Sequence, residues 1–205
     1  RIAASGKPLP INDIVCAHSS NGGKTWSLPV RVILDSTNID AATTFADKYF
    51  IAADKLPSSP FRDKVYISWI EYSVLHQGKV RLSSSSDSGV TWSLPIDLTG
   101  LGNYQSPIPA VGIGGVVYIV YTDIDTTKHE ILFAVSSDGG KTFSPGKKIS
   151  NYKDLGPLLP LKDPFAHPTI KGGLRVNSFP SIADDISNIH NGRIYVNGAA
   201  MVAGL

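Results

Sequence analysis

Side chains able to transfer protons, hold a cation or anchor a polar ligand are few in this sequence and fall in short clusters. Glu71, Tyr72 and His76 form one, Asp123, Asp125, Lys128, His129 and Glu130 a second, while Asp47, Tyr104 and Arg175 stand apart. The alternate acids of Asp123-Ile124-Asp125 could offer oxygens to Ca²⁺. Without the glycine and distal glutamate of an EF-hand loop they read as solvated turn carboxylates, and Ca²⁺ is left open without being required. His18, His76, His129, His167 and His190 show none of the paired spacings that ligate zinc. The single Cys16 excludes an intrachain disulfide and a cysteine-based zinc cluster. No glycine-rich phosphate loop opens a helix, since Gly112 to Gly115 reads as a hairpin turn, and no cofactor is expected.

The scaffold that must position these residues is written as a repeat. Ser19-Ser20-Asn21-Gly22-Gly23-Lys24-Thr25-Trp26-Ser27 recurs as Ser85-Ser86-Asp87-Ser88-Gly89-Val90-Thr91-Trp92-Ser93 and as Ser136-Ser137-Asp138-Gly139-Gly140-Lys141-Thr142-Phe143-Ser144. The Asn or Asp side chain can accept hydrogen bonds from amides further along the turn. Gly23, Gly89 and Gly140 supply a positive φ without a Cβ penalty. Thr25, Thr91 and Thr142 restart a strand, and the aromatic after each is expected to fold back as an apolar anchor. These acids are therefore read as structural.

A second motif precedes the turns. Lys64-Val65-Tyr66-Ile67, Val116-Val117-Tyr118-Ile119 and Arg193-Ile194-Tyr195-Val196 are strand-like, and earlier pieces around Phe50 to Asp54, Pro109 to Ile113 and Phe179 to Asp185 complete units of four strands. No segment carries a sustained 3.6-residue period. The expected fold is all-β, a β-propeller of four-stranded antiparallel blades. The divisions expected are 1–35 as the end of a blade, 36–100 and 101–150 as blades, and 151–205 as a long loop and the start of another.

Composition narrows the function classes. In 205 residues, 19 Lys and Arg against 17 Asp and Glu leave a net charge of +2, which gives no footprint for nucleic acid. The longest apolar stretch, Val111 to Tyr121, is too short to span a bilayer. The opening at Arg1, without a charged-then-apolar leader, is expected of a processed or truncated product.

The turn pattern Ser-x-Asp-x-Gly-x-Thr-Trp resembles the Asp-box, or BNR-repeat, family of sialidase-like β-propellers. Residues 85 to 92 match it fully, Phe143 replaces the Trp in the third copy and Asn21 the Asp in the first. The resemblance implies boxes between strands 3 and 4 of each blade, on the face opposite the ligands. It implies about three blades' worth of a propeller of six or more, completed either by further blades of a longer chain or by a second copy. Glu71, Tyr72, His76, Tyr104, Asp123, Asp125, His129 and Arg175 are the candidate ligand-face residues on that basis, with a glycan or protein as the partner. Sialidases of the family use an arginine triad, a Tyr nucleophile paired with Glu and an acid/base Asp. Here the family's Arg-Ile-Pro motif is absent. Tyr72 with Glu71 is poorly suited as the pair, because strand neighbours face opposite ways. The expectation is an extracellular or cell-surface binding module without catalysis. The alternative is an exo-acting sialidase-like glycoside hydrolase whose catalytic residues lie partly outside this chain.

Overall fold

The computed structural model describes residues 13–33, 44–73, 77–125, 127–156, 169–171, 174–187, 189–190 and 192–198. Among these the regular structure is antiparallel β, with one short 3₁₀ turn at Ile113–Gly115. No helix of the described residues is long and apolar enough to cross a membrane. The first sheet pairs β1 (Val15–Cys16) with β2 (Val30–Arg31). The second runs β3 (Thr44–Ala53), β4 (Val65–Ser73), β5 (Gly78–Ser85) and β6 (Ile96–Asp97), each strand paired with the next. The third repeats that meander with β7 (Tyr104–Val111), β8 (Val117–Asp123), β9 (Glu130–Ser136) and β10 (Lys147–Asn151). A ribbon of β11 (Thr169–Ile170) and β12 (Leu174–Arg175) follows, then a fourth sheet of β13 (Pro180–Asp184) and β14 (Ile194–Gly198).

The sheets pack face to face because their middle strands carry no polar side. In β4, Tyr66, Ile70 and Tyr72 join Val80 and Leu82 against Val117, Ile119, Tyr121 and Ala134 of the third sheet. Ile67 and Trp69 point the other way, into a cluster with Ile14, Val32 and Ile33 of the first sheet. Period-2 alternation thus feeds two cores from one strand. The hydroxyl of Ser68, buried between sheets, is satisfied by donating to the Pro107 carbonyl at 2.5 Å.

Each repeated turn is closed by its own side chains. In the second copy Ser85 Oγ donates to Asp87 Oδ1 at 2.7 Å and accepts from Gly89 N at 2.8 Å, while Asp87 Oδ1 accepts from Thr91 N at 2.8 Å. Thr91 Oγ1 donates to Asp87 Oδ2 at 2.5 Å, and Asp138 makes the same set with Ser136, Gly140 and Thr142. In the first copy Asn21 Nδ2 instead donates to Thr25 Oγ1 at 2.8 Å, so the threonine hydroxyl reverses its role and the turn survives without a charge. A lock not anticipated from the sequence is the final serine. Ser27, Ser93 and Ser144 each donate their amide at 2.8 Å to, and accept on Oγ at 3.0–3.1 Å from, the strand opposite.

The aromatics that follow behave differently from one another. Trp92 is buried at 6% exposure between the first and second sheets, and Phe143 packs on the core between the second and third. Trp26, expected to be an anchor, is 65% exposed. The physical reason is directional: each aromatic packs against the sheet that precedes its own, and no described sheet precedes the first.

Hydrogen bonds from the Thr91 hydroxyl and amide and the Ser85 hydroxyl hold the Asp87 carboxyl down at about 2, and the matching set holds Asp138 well below the aspartate range. A depressed carboxylate contributes stability that is complete above its unfolded value, near 4, and is lost as pH falls through the folded one. Thermal unfolding followed by circular dichroism is expected to show the melting temperature falling between about pH 4 and 2. The double variant Asp87→Asn, Asp138→Asn, built on the arrangement Asn21 already uses, should show a shallower fall. Equal slopes for the two proteins would refute this role.

Candidate functional site

At the ends of the sheets away from the repeated turns, the second and third sheets bring several predicted residues together. Tyr72, near the end of β4, donates its hydroxyl to the Tyr104 carbonyl at 3.1 Å and accepts from Gln105 Nε2. Phe45 stacks on Tyr72 with centroids 5.1 Å apart, and Tyr104 meets Tyr121 edge-on at 5.6 Å. Burial raises the Tyr104 phenol above its usual range and pushes Tyr121 up to about 12. These are neutral hydroxyls at physiological pH, suited to hydrogen bonding.

The adjoining loop is a built turn. Asp123 is buried, accepts from Asp125 N at 3.0 Å and pairs with Lys128 Nζ at 3.0 Å, and this contact raises the lysine above its ordinary value. Asp125 accepts from the amide and hydroxyl of Thr127, which lower its carboxyl. Both acids are thereby occupied, and no group of three metal-ligating side chains occurs among the described residues. His129, at φ 44°, sets Nδ1 3.4 Å from Asp154, too long for a good hydrogen bond, and meets the Tyr152 ring edge-on at 5.5 Å. Burial, with Asp154 second, drives the Tyr152 phenol strongly upward.

Other predicted residues are not brought in. Glu71 faces the opposite side of β4 and is tied at 2.7 Å to Arg81, which also holds Asp97 at 2.8 Å. Glu130 pairs with Lys148 at 3.1 Å. Arg175 lies on β12 opposite Thr169, in a short ribbon within the stretch expected to be a long loop, and His76 lies outside the described residues.

Gln105, Tyr152 and Asp154 were missed, and for Gln105 the reason is identifiable. The first strands of the second and third sheets each carry a bulge, between Asp47 and Phe50 and between Gln105 and Ile108. At each bulge a non-glycine residue adopts positive φ, Lys48 at 54° and Ser106 at 48°. A bulge re-aims the side chains before it. Asp47 and Gln105 occupy equivalent positions, and Asp47 there accepts from the amide of Lys48 at 2.8 Å and its Nζ at 2.9 Å. No glycine announces either bulge, so simple alternation misplaces the strand start.

Solved structures share this fold. The chain is similar to a Hadza microbial sialidase (Hz136), with TM-score 0.50 and 16% identity over 64% of this chain and 30% of that one. It is likewise similar to a leech intramolecular trans-sialidase solved with 2,7-anhydro-Neu5Ac, with TM-score 0.51 and 13% identity over 95% of this chain and 30% of that one. The fold is sialidase-like. At this identity the likeness is one of fold alone, and the chain spans less than a third of the length of either sialidase. No protein-family model matches the sequence, and no curated protein is similar to it.

The bulge yields a stability test. Ser106 is fully buried, left-handed, and its hydroxyl has no partner. Removing the hydroxyl in Ser106→Ala should be neutral or stabilising, and Ser106→Gly, which also relieves the left-handed strain, should stabilise by about 1 kcal/mol in urea unfolding. Loss of stability in both variants would show that this hydroxyl is satisfied in solution.

Proposed function

We propose that this chain is a segment of an exported Asp-box β-propeller, divided into blades at 36–100 and 101–150, whose face away from the boxes binds a glycan without catalysis. The observation that carries the reading is the Phe45 ring, 38% exposed and stacked on Tyr72, with the Asp47–Lys48 pair and Gln105 close along the same bulged strands. An aromatic surface can take the apolar face of a sugar ring, while carboxylate, ammonium and amide take its hydroxyls. The ion pairs and turn bonds of Asp123, Asp125, Glu71 and Arg81 support a binding role over proton transfer, since a general acid or base must be free to exchange its proton. The sialidase-like fold favours the second reading, a hydrolase completed by residues outside this chain.

A glycan array probed with the chain, followed by calorimetry on the best ligand, separates the two. Specific binding weakened about tenfold by Phe45→Ala, with the β-sheet circular dichroism retained at the assay temperature, is the expected result. Hydrolysis of a fluorogenic sialoside by the chain or its parent protein would overturn the non-catalytic reading. An array without hits would overturn the glycan.

A further inference from the structure

The ion pairs of the candidate site point to the chemical class of glycan it takes, an inference that rests on the glycan-binding reading above. The site draws on the first strands of three successive sheets. β3 brings Phe45, Asp47 and Lys48, β7 brings Gln105, and the residue just before β13 brings Phe179, whose ring centroid lies 5.6 Å from Lys48 Nζ. Lys48, Ser106 and Phe179 occupy the same place ahead of the hairpins closed by the amides of Asp54, Gly112 and Asp185. The three strands thus start at one end of the stack, and a single lysine side chain spans from the second sheet to the fourth.

Lys48 is the cation set against an aromatic ring here, and its charge is already taken. Its backbone is held left-handed at φ 54°, its Nζ pairs with Asp47 Oδ2 at 2.9 Å, and its amide donates to Asp47 Oδ1 at 2.8 Å. The carboxylate is pinned by both ends of the same residue. At 23% and 39% exposure the lysine and aspartate side chains can meet a ligand, yet are dry enough for the pairing to be felt. Freeing the ammonium for an acidic sugar would trade one ion pair for another and leave Asp47 without its counter-charge. Lys128 is held likewise by the buried Asp123 at 3.0 Å. With the exposed Lys153 counted, Asp47, Asp123, Asp125 and Asp154 still outnumber Lys48, Lys128 and Lys153, so the local field opposes an anion.

The polar atoms left over are acceptors. Gln105 spends its amide nitrogen on the Tyr72 hydroxyl, and its Oε1 has no donor. The Asp47 carboxylate has lone pairs beyond the two that Lys48 uses. A sugar hydroxyl can donate to such an acceptor and accept from the neighbouring ammonium. A carboxylate or sulfate can only accept, and would meet these oxygens lone pair to lone pair.

We infer that this face takes a neutral sugar and turns away acidic ones, and that Asp47 sets the preference by neutralising Lys48 and by accepting from a ligand hydroxyl. The test is an array, followed by calorimetry, that sets neutral glycans beside the same cores ending in a sialic acid, a glucuronic acid or a sulfate. Neutral termini are expected to bind about tenfold or more tightly than their acidic counterparts. Their affinity should hold steady as salt rises from about 0.05 to 0.5 M, because the ligand carries no charge to be screened. Asp47→Asn, which keeps the side chain's shape and releases the Lys48 charge, should gain about tenfold for acidic termini. The salt series needs no variant and decides the matter should Asp47→Asn fail to fold. Hits confined to acidic termini, a neutral-ligand affinity that falls steeply with salt, or a preference that Asp47→Asn leaves unmoved would overturn the inference while the glycan reading stands. An array without hits overturns the glycan reading and this inference with it.

Discussion

Everything in this molecule depends on the face-to-face packing of sheets that have no polar side. Because β4 sends Tyr66, Ile70 and Tyr72 one way and Ile67 and Trp69 the other, the second sheet holds its core strands dry only with a neighbour on each face. Two clusters of buried side chains are therefore a minimum for one such sheet, and they explain why successive sheets stack instead of lying side by side. Burial of this kind also forces the polar atoms inside to find partners across the gap, as Ser68 does with Pro107.

That constraint divides labour between the two ends of the sheets. At one end, turns are fixed by their own serine, aspartate and threonine hydrogen bonds, and the third presses Gly139 and Gly140 against the preceding sheet, which leaves little freedom to vary there. At the other end the strands stop at different points, bulges turn Asp47 and Gln105, and the strand ends carry the tyrosines and ion pairs. Chemical variety collects where packing leaves room for it.

The all-β class, the four-strand units and the turns were legible because local chemistry dictates them: an acceptor side chain, a left-handed glycine and a β-branched restart act within a few residues. What the sequence did not show depends on distance or backbone strain. The bulges at Lys48 and Ser106 carry no glycine, and the β11–β12 ribbon is too short to register as a pattern. The exposure of Trp26 could not be read from a motif it shares with Trp92, since the difference lies in which sheet precedes each. Of the candidate site, Tyr72, Tyr104, Asp123 and His129 were recognisable as polar residues near strand ends. Their partners Gln105, Tyr152 and Asp154 depend on strand register, which a single sequence leaves open.

The meander order of the two four-stranded sheets also bears on how the chain reaches this state. Every hydrogen-bonded pair within them joins strands adjacent in sequence, through connections short enough that loop closure costs little entropy. Strand pairing is thus local even though the fold is all-β, a class usually slowed by distant pairings. Each sheet can assemble as a unit on the one before it, and the self-closed turns supply a nucleus for its outer hairpin. Contact along the stack is made in part by the aromatics that one sheet lays on its predecessor, Trp92 on the first and Phe143 on the second.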